Sequence, residues 1–340
     1  MKKLVRITVL VALIVISAFI GCKREKPEGA TTYRIAVIPK GTTHVFWKSI
    51  HAGALKAQEE LKASGVNVEV IWKGPLKEDD RESQIRVVED FVTRGVSGIV
   101  LAPLDDAALR MPVKDAVSNG IPVVIIDSDL KSEDYVSFVA TDNYEGGRKG
   151  GQRLAEILDG KGKVIMLRYQ EGSASTMNRE QGFLDVLKKD YPGIEVVSAN
   201  QYGGATTESA YIASENLLSP LRTPDGGLTI DGIFCPNEST AFAMLRALED
   251  GGFAKKVKYV GFDSSDRLVM GLRNGSIQGL VLQDPINMGY LGVKTIVAHL
   301  RGEKVERRID TGSAVATPEN MDDPKMKNLL EPDYRKWLNE

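Results

Sequence analysis

Residues 98–127 read GIVLAPLDDAALRMPVKDAVSNGIPVVIID, and this stretch decides the fold. Two unbroken apolar runs, 98–102 (GIVLA) and 122–127 (PVVIID), flank residues 107–118, which have helical spacing. A strand with one wet face alternates apolar and polar residues. Continuous β-branched runs between helices instead imply parallel strands buried on both faces, the doubly wound α/β architecture.

The same alternation extends in both directions. Upstream, 33–39 (YRIAVIP) and 68–72 read as strands, and 46–62 reads as a helix. A second helix carries Ile85, Val88, Phe91 and Val92 on one face and stops at Gly95. Downstream the pattern starts again, with strands at 163–167, 194–199, 232–235, 257–262 and 280–282. Helices at 179–189, 208–218, 239–249, 265–274 and 288–300 fall between and after them. Landmarks recur too. Gly98, Ile99 and Pro103 resemble Gly232, Ile233 and Pro236, offsets of 134, 134 and 133. Asp127-Ser128-Asp129 ends a strand as Asp263-Ser264-Ser265 does, an offset of 136. Two similar lobes with a cleft between them follow, unless two α/β units merely look alike by chance. Beyond the charged stretch 301–308, residues 309–318 look extended, and 321–340 form a polar tail with helical tendency near 325–330, read as packing over the lobes or hinge.

Composition narrows the function. With 340 residues, 42% of them hydrophobic, there is ample chain for one or two cores. A net charge of −2 gives no electrostatic case for nucleic acid. Two cysteines and three histidines leave little material for a disulfide framework or a structural zinc site. No phosphate-binding glycine loop follows a strand, because Gly146, Gly147, Gly150 and Gly151 lie inside a helical pattern. No metal ligand set, nucleophile elbow or catalytic triad stands out, so neither a cofactor nor a metal is expected.

The chain opens MKKLVRITVLVALIVISAFIGC, a positive start followed by an apolar run (7–20) too short to span a bilayer comfortably. Phe19-Ile20-Gly21-Cys22 resembles a bacterial lipobox, with phenylalanine in place of the usual leucine. Residues 1–21 then form a lipoprotein signal peptide, whose removal leaves a mature charge of −5. Cys22 becomes the acylated (palmitate-bearing) N-terminus, and 22–32 a flexible tether. An ordinary cleaved signal peptide is the alternative. Cys235, in an apolar run, reads as a packed, inert thiol.

In doubly wound sheets, ligands sit at the carboxyl ends of strands. Those ends supply Lys40, then His44, Phe46 and Trp47; Asp105 and Asp106; and Asp127, Ser128 and Asp129. The second half supplies Asn237, Asp263 and Gln283, with Arg179 at a helix opening. A neutral polyhydroxyl ligand needs such a mixture: carboxylates accept from paired hydroxyls, amides donate and accept, and aromatic faces cover the sugar ring. Bland alternatives stay open. Adjacent Phe46 and Trp47 cannot both lie on a helix core face; Asp127, Asp263 and Asn237 could cap helices; Gln283 could serve a hinge; Lys40 and His44 could face solvent.

This ensemble resembles the ribose-binding family of periplasmic solute-binding proteins, which feed ABC sugar importers and share their fold with LacI-type repressors. The likeness covers residues 33–310. It rests on Phe46-Trp47, Ile121-Pro122-Val123-Val124 ending in Asp127, Thr141-Asp142-Asn143 before a Gly-Gly helix, and Arg179 ahead of Gly182-Phe183. Asn237, Gly261-Phe262-Asp263 and Gln283-Asp284-Pro285 complete it. The resemblance implies a type I fold: two lobes joined by three chain crossings near Thr141-Asp142, Gln283-Asp284 and residues 309–311. The lobes would be 33–141 plus 284–309 and 142–283 plus 310–320. Closure around a bound monosaccharide would present the monomeric protein to an ABC permease in the cell envelope. By position, Phe46, Trp47, Asp127, Asn237, Asp263 and Gln283 would contact the sugar. Met177 and Ser128 stand where ribose binders place arginines, Ala205 where a phenylalanine would stack, His44 replaces an asparagine, and Lys40 a small polar residue. These departures put ribose itself in doubt and open the way to a more polar ligand such as a sugar acid. Ile38-Pro39-Lys40 and Asp127-Ser128-Asp129 also resemble the autoinducer-2-binding branch, which residues 169–179 do not match well.

Three other classes compete. A sensor for a membrane receptor or kinase would use the same closing lobes. A transcription regulator requires an N-terminal helix-turn-helix where a signal peptide stands. A glycosidase could use Asp127 and Asp263 as a carboxylate pair.

Overall fold

A computed structural model describes residues 31–338. The signal peptide, Cys22 and nearly all of the tether lie outside the described residues.

The described chain builds two six-stranded sheets. In the first, β1 (Tyr33–Ile38), β2 (Val68–Trp72), β3 (Gly98–Leu101), β4 (Val123–Ile126), β5 (Ser137–Ala140) and β11 (Arg308–Asp310) run in the order β11-β5-β4-β3-β1-β2. In the second, β6 (Gly162–Arg168), β7 (Ile194–Tyr202), β8 (Gly232–Phe234), β9 (Lys258–Phe262), β10 (Gly279–Leu282) and β12 (Ala314–Ala316) run β12-β10-β9-β8-β6-β7. The two orders are the same, as the repeated landmarks imply. All pairings are parallel except β10 with β12.

Both faces of each sheet are buried, which is why these strands read as continuous apolar runs. In the first lobe Ile35, Val37, Val100, Val124 and Ile126 pack on one face, whereas Ala36, Ile38, Ile99, Leu101, Val123 and Ile125 pack on the other. In the second, Ile165, Leu167, Ile233 and Cys235 oppose Val164, Met166, Phe234 and Val260. Burial pushes the Cys235 thiol up to about 12, so it stays protonated.

The covering helices are α1 (Val45–Ala63), α2 (Arg81–Thr93), α3 (Arg110–Ser118) and α9 (Pro285–Leu300) in the first lobe. The second lobe has α4 (Asn143–Ile157), α5 (Ala174–Asp190), α6 (Thr207–Leu218), α7 (Glu238–Asp250) and α8 (Asp266–Arg273). One helix pair in each lobe packs through glycine. A Cβ at Gly53 would lie 1.9 Å from the Ile286 carbonyl oxygen, and one at Gly147 1.9 Å from that of Arg179. The glycine-rich stretch of α4 is therefore a packing surface, not a phosphate loop.

The chain passes between the sheets three times: from β5 to α4, from β10 to α9, and from β11 to β12. Asp142 and Asp284 cap the helices that begin at the first two passages, accepting from the amides of Glu145 and Asn287. The C-terminal segment forms α10 (Pro324–Leu330), whose Leu330 joins the second lobe's core, and α11 (Arg335–Leu338), which packs on α1 of the first.

Three details differ from the sequence reading. Strand β5 was not expected, because a loop rather than a helix leads into it from β4. The helix expected at 107–118 begins at Arg110, since the Asp105 carboxylate takes the Ala107 and Ala108 amides at 2.9 and 2.7 Å. Helix α5 begins five residues before the expected Arg179, over residues 174–178, which have no apolar period.

Candidate functional site

The carboxyl ends of both sheets face each other across the cleft. From the first lobe come Lys40 beyond β1, His44, Phe46 and Trp47 at the opening of α1, Glu78 between β2 and α2, and Asp127 beyond β4. From the second come Tyr169, then Ser175, Thr176 and Arg179 on α5, Asn237 and Glu238 at the opening of α7, Asp263 beyond β9, and Gln283 beyond β10. Together they line a cavity of about 30 Å³. In this arrangement the two lobes leave little free space between these side chains.

Asp127 and Asp263 hold the same backbone form in the two lobes, with φ of 61° and 67°. Left-handed residues other than glycine cost roughly 1–2 kcal/mol and persist where the surroundings over-determine them. Here the turn aims each carboxylate into the cleft. Neither caps the helix that follows, since the residue at the N-cap of α8 is Ser265. Asp263 instead accepts from the Glu238 amide at 3.1 Å and from Gln283 Nε2 at 2.7 Å. Gln283 Oε1 is buried with no partner among the described residues.

Lys40 is buried, and its ammonium meets Asp127 Oδ2 at 3.2 Å, Ser173 Oγ at 3.2 Å and Ser175 Oγ at 3.1 Å. Its three protons are thus used within the protein, two of them across the cleft. Arg179 donates to Asn143 Oδ1 and to the Pro236 carbonyl, lies 3.9 Å from both Asp127 and Asp263, and stacks over Phe262. Burial lowers its pKa against the pull of the two aspartates, and burial likewise raises Asp263 despite Arg179 and Gln283.

A second cluster surrounds Glu78. Its carboxylate accepts from Trp47 Nε1 at 2.7 Å, pairs with His44 Nδ1 at 2.9 Å, and accepts from the Tyr169 hydroxyl of the other lobe. Burial alone would raise Glu78, but these donors hold it at about 2. Burial opposes charge on His44, yet the hydrogen bond and charge of Glu78, with Glu238 and Asp263 beyond, raise it to about 9. His44 is therefore an imidazolium at neutral pH. Glu238 is pushed by burial up to about 7, against His44 and the Phe46 amide it accepts at 3.1 Å.

Of the residues named from sequence, Ser128 and Met177 do not reach the cavity. The Ser128 hydroxyl accepts from the Ser175 amide at 3.1 Å, a lobe-to-lobe bond. Met177 sits on α5 about half a turn from Ser175 and Arg179, so the helical period turns it away. Asp105, Asp106 and Asp129 serve local amides and the surface cations Arg81 and Lys131. Phe46 and Trp47 both line the cavity and both are buried, because the end of α1 rather than its flank meets the cleft; their rings pack edge-on at 4.9 Å. Asn237 stands at the N-cap of α7 but does not cap it; its side chain bonds Ser239 and Thr240. Sequence reasoning missed Glu78, Tyr169, Ser175, Thr176 and Glu238. Among the described residues no cluster of His, Cys, Asp and Glu could hold a metal ion, and no helix is long and apolar enough to cross a membrane.

Two α/β lobes with a cleft lined in this way define a type I solute-binding fold. Residues 35–304 match the periplasmic binding protein domain model, and the chain belongs to that family. It is 30% identical over 322 residues to the D-ribose/D-allose-binding protein of Pseudomonas aeruginosa, covering 92% of this chain and 96% of that one. A carbohydrate transporter solute-binding protein of Agrobacterium radiobacter, solved with D-arabinose, is 35% identical with a TM-score of 0.81, over 88% of this chain and 99% of that one. An ABC transporter solute-binding protein of Agrobacterium vitis, solved with D-fucose, is 34% identical with a TM-score of 0.80, over 87% and 99%. These relatives are solute-binding proteins, not enzymes.

Proposed function

We propose that this protein captures one neutral monosaccharide, or a related polyol, between its lobes and delivers it to an ABC permease at the outer face of a cell membrane. One observation carries the reading: both lobes contribute to one cavity whose carboxylates, amides and edge-packed aromatic pair suit a polyhydroxylated ring. The sugars named for its relatives favour the same class. The pairing of Lys40, His44 and Arg179 with protein groups speaks against a sugar acid, because a ligand carboxylate would have to displace existing partners. The orphaned Gln283 Oε1 calls for a hydroxyl donor. Cys22 would anchor the mature chain through its acyl chains, and an acyl mass on the N-terminal peptide tests that part; an unmodified N-terminus would contradict it.

Calorimetric titration with D-ribose, D-allose, D-arabinose, D-fucose, autoinducer-2 and a hexuronic acid tests the ligand class. Saturable one-to-one binding of a neutral sugar is expected. Preferential binding of the acid would overturn the reading.

A further inference from the structure

Helix α1 carries Phe46 and Trp47 into the ligand cavity, yet its own N-terminus lacks a local cap. His44 occupies the N-cap position without a side-chain cap bond, and its imidazole is committed to Glu78. The first turn contains no acidic residue. An N-cap side chain ordinarily accepts from the second or third helical amide. Here the second, that of Phe46, is taken at 3.1 Å by Glu238 Oε2, which belongs to the other lobe.

We infer that Glu238 is a positioning residue of the sugar site: on closure it caps α1 across the cleft and so fixes the turn bearing Phe46 and Trp47. The inference rests on the reading of this cleft as a sugar site. Glu238 is itself well held for the task. It opens α7, its own amide is bonded to Asp263 Oδ2, and its side chain is buried. When the lobes part, the Phe46 amide loses its acceptor and the positive end of α1 meets water. Closure therefore completes a helix as well as a ligand cage.

The groups facing Glu238 are His44 and the Phe46 amide from α1, Asp263 from the β9 end and Glu78 from the loop before α2. Burial dominates and raises the carboxyl to about 7, so near neutrality it is partly protonated when closed. A carboxyl that is buried on closure takes up a proton as the lobes shut. Its contribution to sugar affinity is present in mild acid and is lost as pH rises through about 7.

The test compares wild type, Glu238→Ala and Glu238→Gln with whichever of the sugars above binds. Calorimetric Kd values at several pH values are combined with exchange of the Phe46 amide followed by NMR. Glu238→Ala is expected to weaken binding at least ~10-fold and to speed Phe46 exchange in the sugar-bound protein by a similar factor. Glu238→Gln keeps an acceptor and a similar shape, so it restores binding to within ~3-fold in mild acid. It also removes the part of the pH slope that belongs to Glu238, which a purely structural role would leave in place. Wild-type affinity in Glu238→Ala, or no rescue by Glu238→Gln, overturns the inference. Should no sugar bind the wild-type chain, the functional reading fails on its own. Exchange in a chain tied shut by a Ser128→Cys/Ser175→Cys disulfide then decides: faster Phe46 exchange on adding Glu238→Ala supports the cap, and equal rates overturn it.

Discussion

Replacing Lys40 by methionine keeps the stem and removes the charge and all three donors. The bond to Asp127 lies within one lobe and is present in open and closed forms alike, so it cancels from the binding equilibrium. The bonds to Ser173 and Ser175 cross the cleft and exist only when the lobes are shut. Hydrogen bonds to charged groups contribute about 1.5 kcal/mol each at the low end, so losing both costs closure about 3 kcal/mol. At 1.4 kcal/mol per decade, the Kd for the bound sugar rises about 100-fold. The in-lobe loss appears elsewhere. Asp127 is left without the cation of its own lobe, which lowers the thermal midpoint of the ligand-free protein. Calorimetry with wild type, Lys40→Met and the Ser173→Ala/Ser175→Ala pair separates the two effects. The double serine variant should lose affinity and keep most of its thermal stability. The reasoning is refuted if Lys40→Met binds within ~3-fold of wild type, since two charged bonds would then contribute almost nothing.

Stability should peak in mild acid and decline on both sides. His44, raised to about 9, contributes stability that is complete below its ordinary 6.5 and is lost as pH rises through about 9. Glu78, held at about 2, contributes stability present above its ordinary 4.5 and lost as pH falls through about 2. Glu180 and Glu238, both raised to about 7 by burial, add to the decline on the alkaline side. Thermal midpoints from pH 3 to 9 should show this, and His44→Gln should flatten the slope between 7 and 9; an unchanged slope in that variant assigns it elsewhere. Gly147→Ala places a methyl against the Arg179 carbonyl and must push α5, with Ser175 and Arg179, away from α4. Overpacking of this kind costs about 1–3 kcal/mol, so both the thermal midpoint and sugar affinity should fall. An unaltered affinity would show that α5 shifts without moving the site.

The fold was legible because its strands are buried on both faces, so 98–102, 122–127 and 232–235 stand out as apolar runs whatever surrounds them. What escaped was held by tertiary contacts. Strand β5 has four residues and no helix before it, and the first turn of α5, Ala174-Ser175-Thr176-Met177, shows no apolar period. The site was legible in part for the same topological reason: strand ends name Lys40, Asp127, Asp263 and Gln283 without any motif. Glu78 lies among the acids of the loop 73–80, where nothing local separates it from Asp79 and Asp80. Only the fold brings Trp47, His44 and Tyr169 to it. Ser128 and Met177 illustrate the opposite error, in which a position matched along the chain ignores the direction of the side chain. Glu238 carried a usable signal, since it adjoins Asn237 at a strand end.

In the proposed function the two lobes close on one neutral sugar. Small-angle X-ray scattering of the processed chain, with and without the sugar that calorimetry selects, tests it most directly. A smaller radius of gyration is expected with the sugar present, and loss of that change when Asp263, which faces the cavity and holds Gln283, becomes alanine. A radius unchanged by a saturating sugar, or a chain that binds none of the neutral sugars, would contradict it.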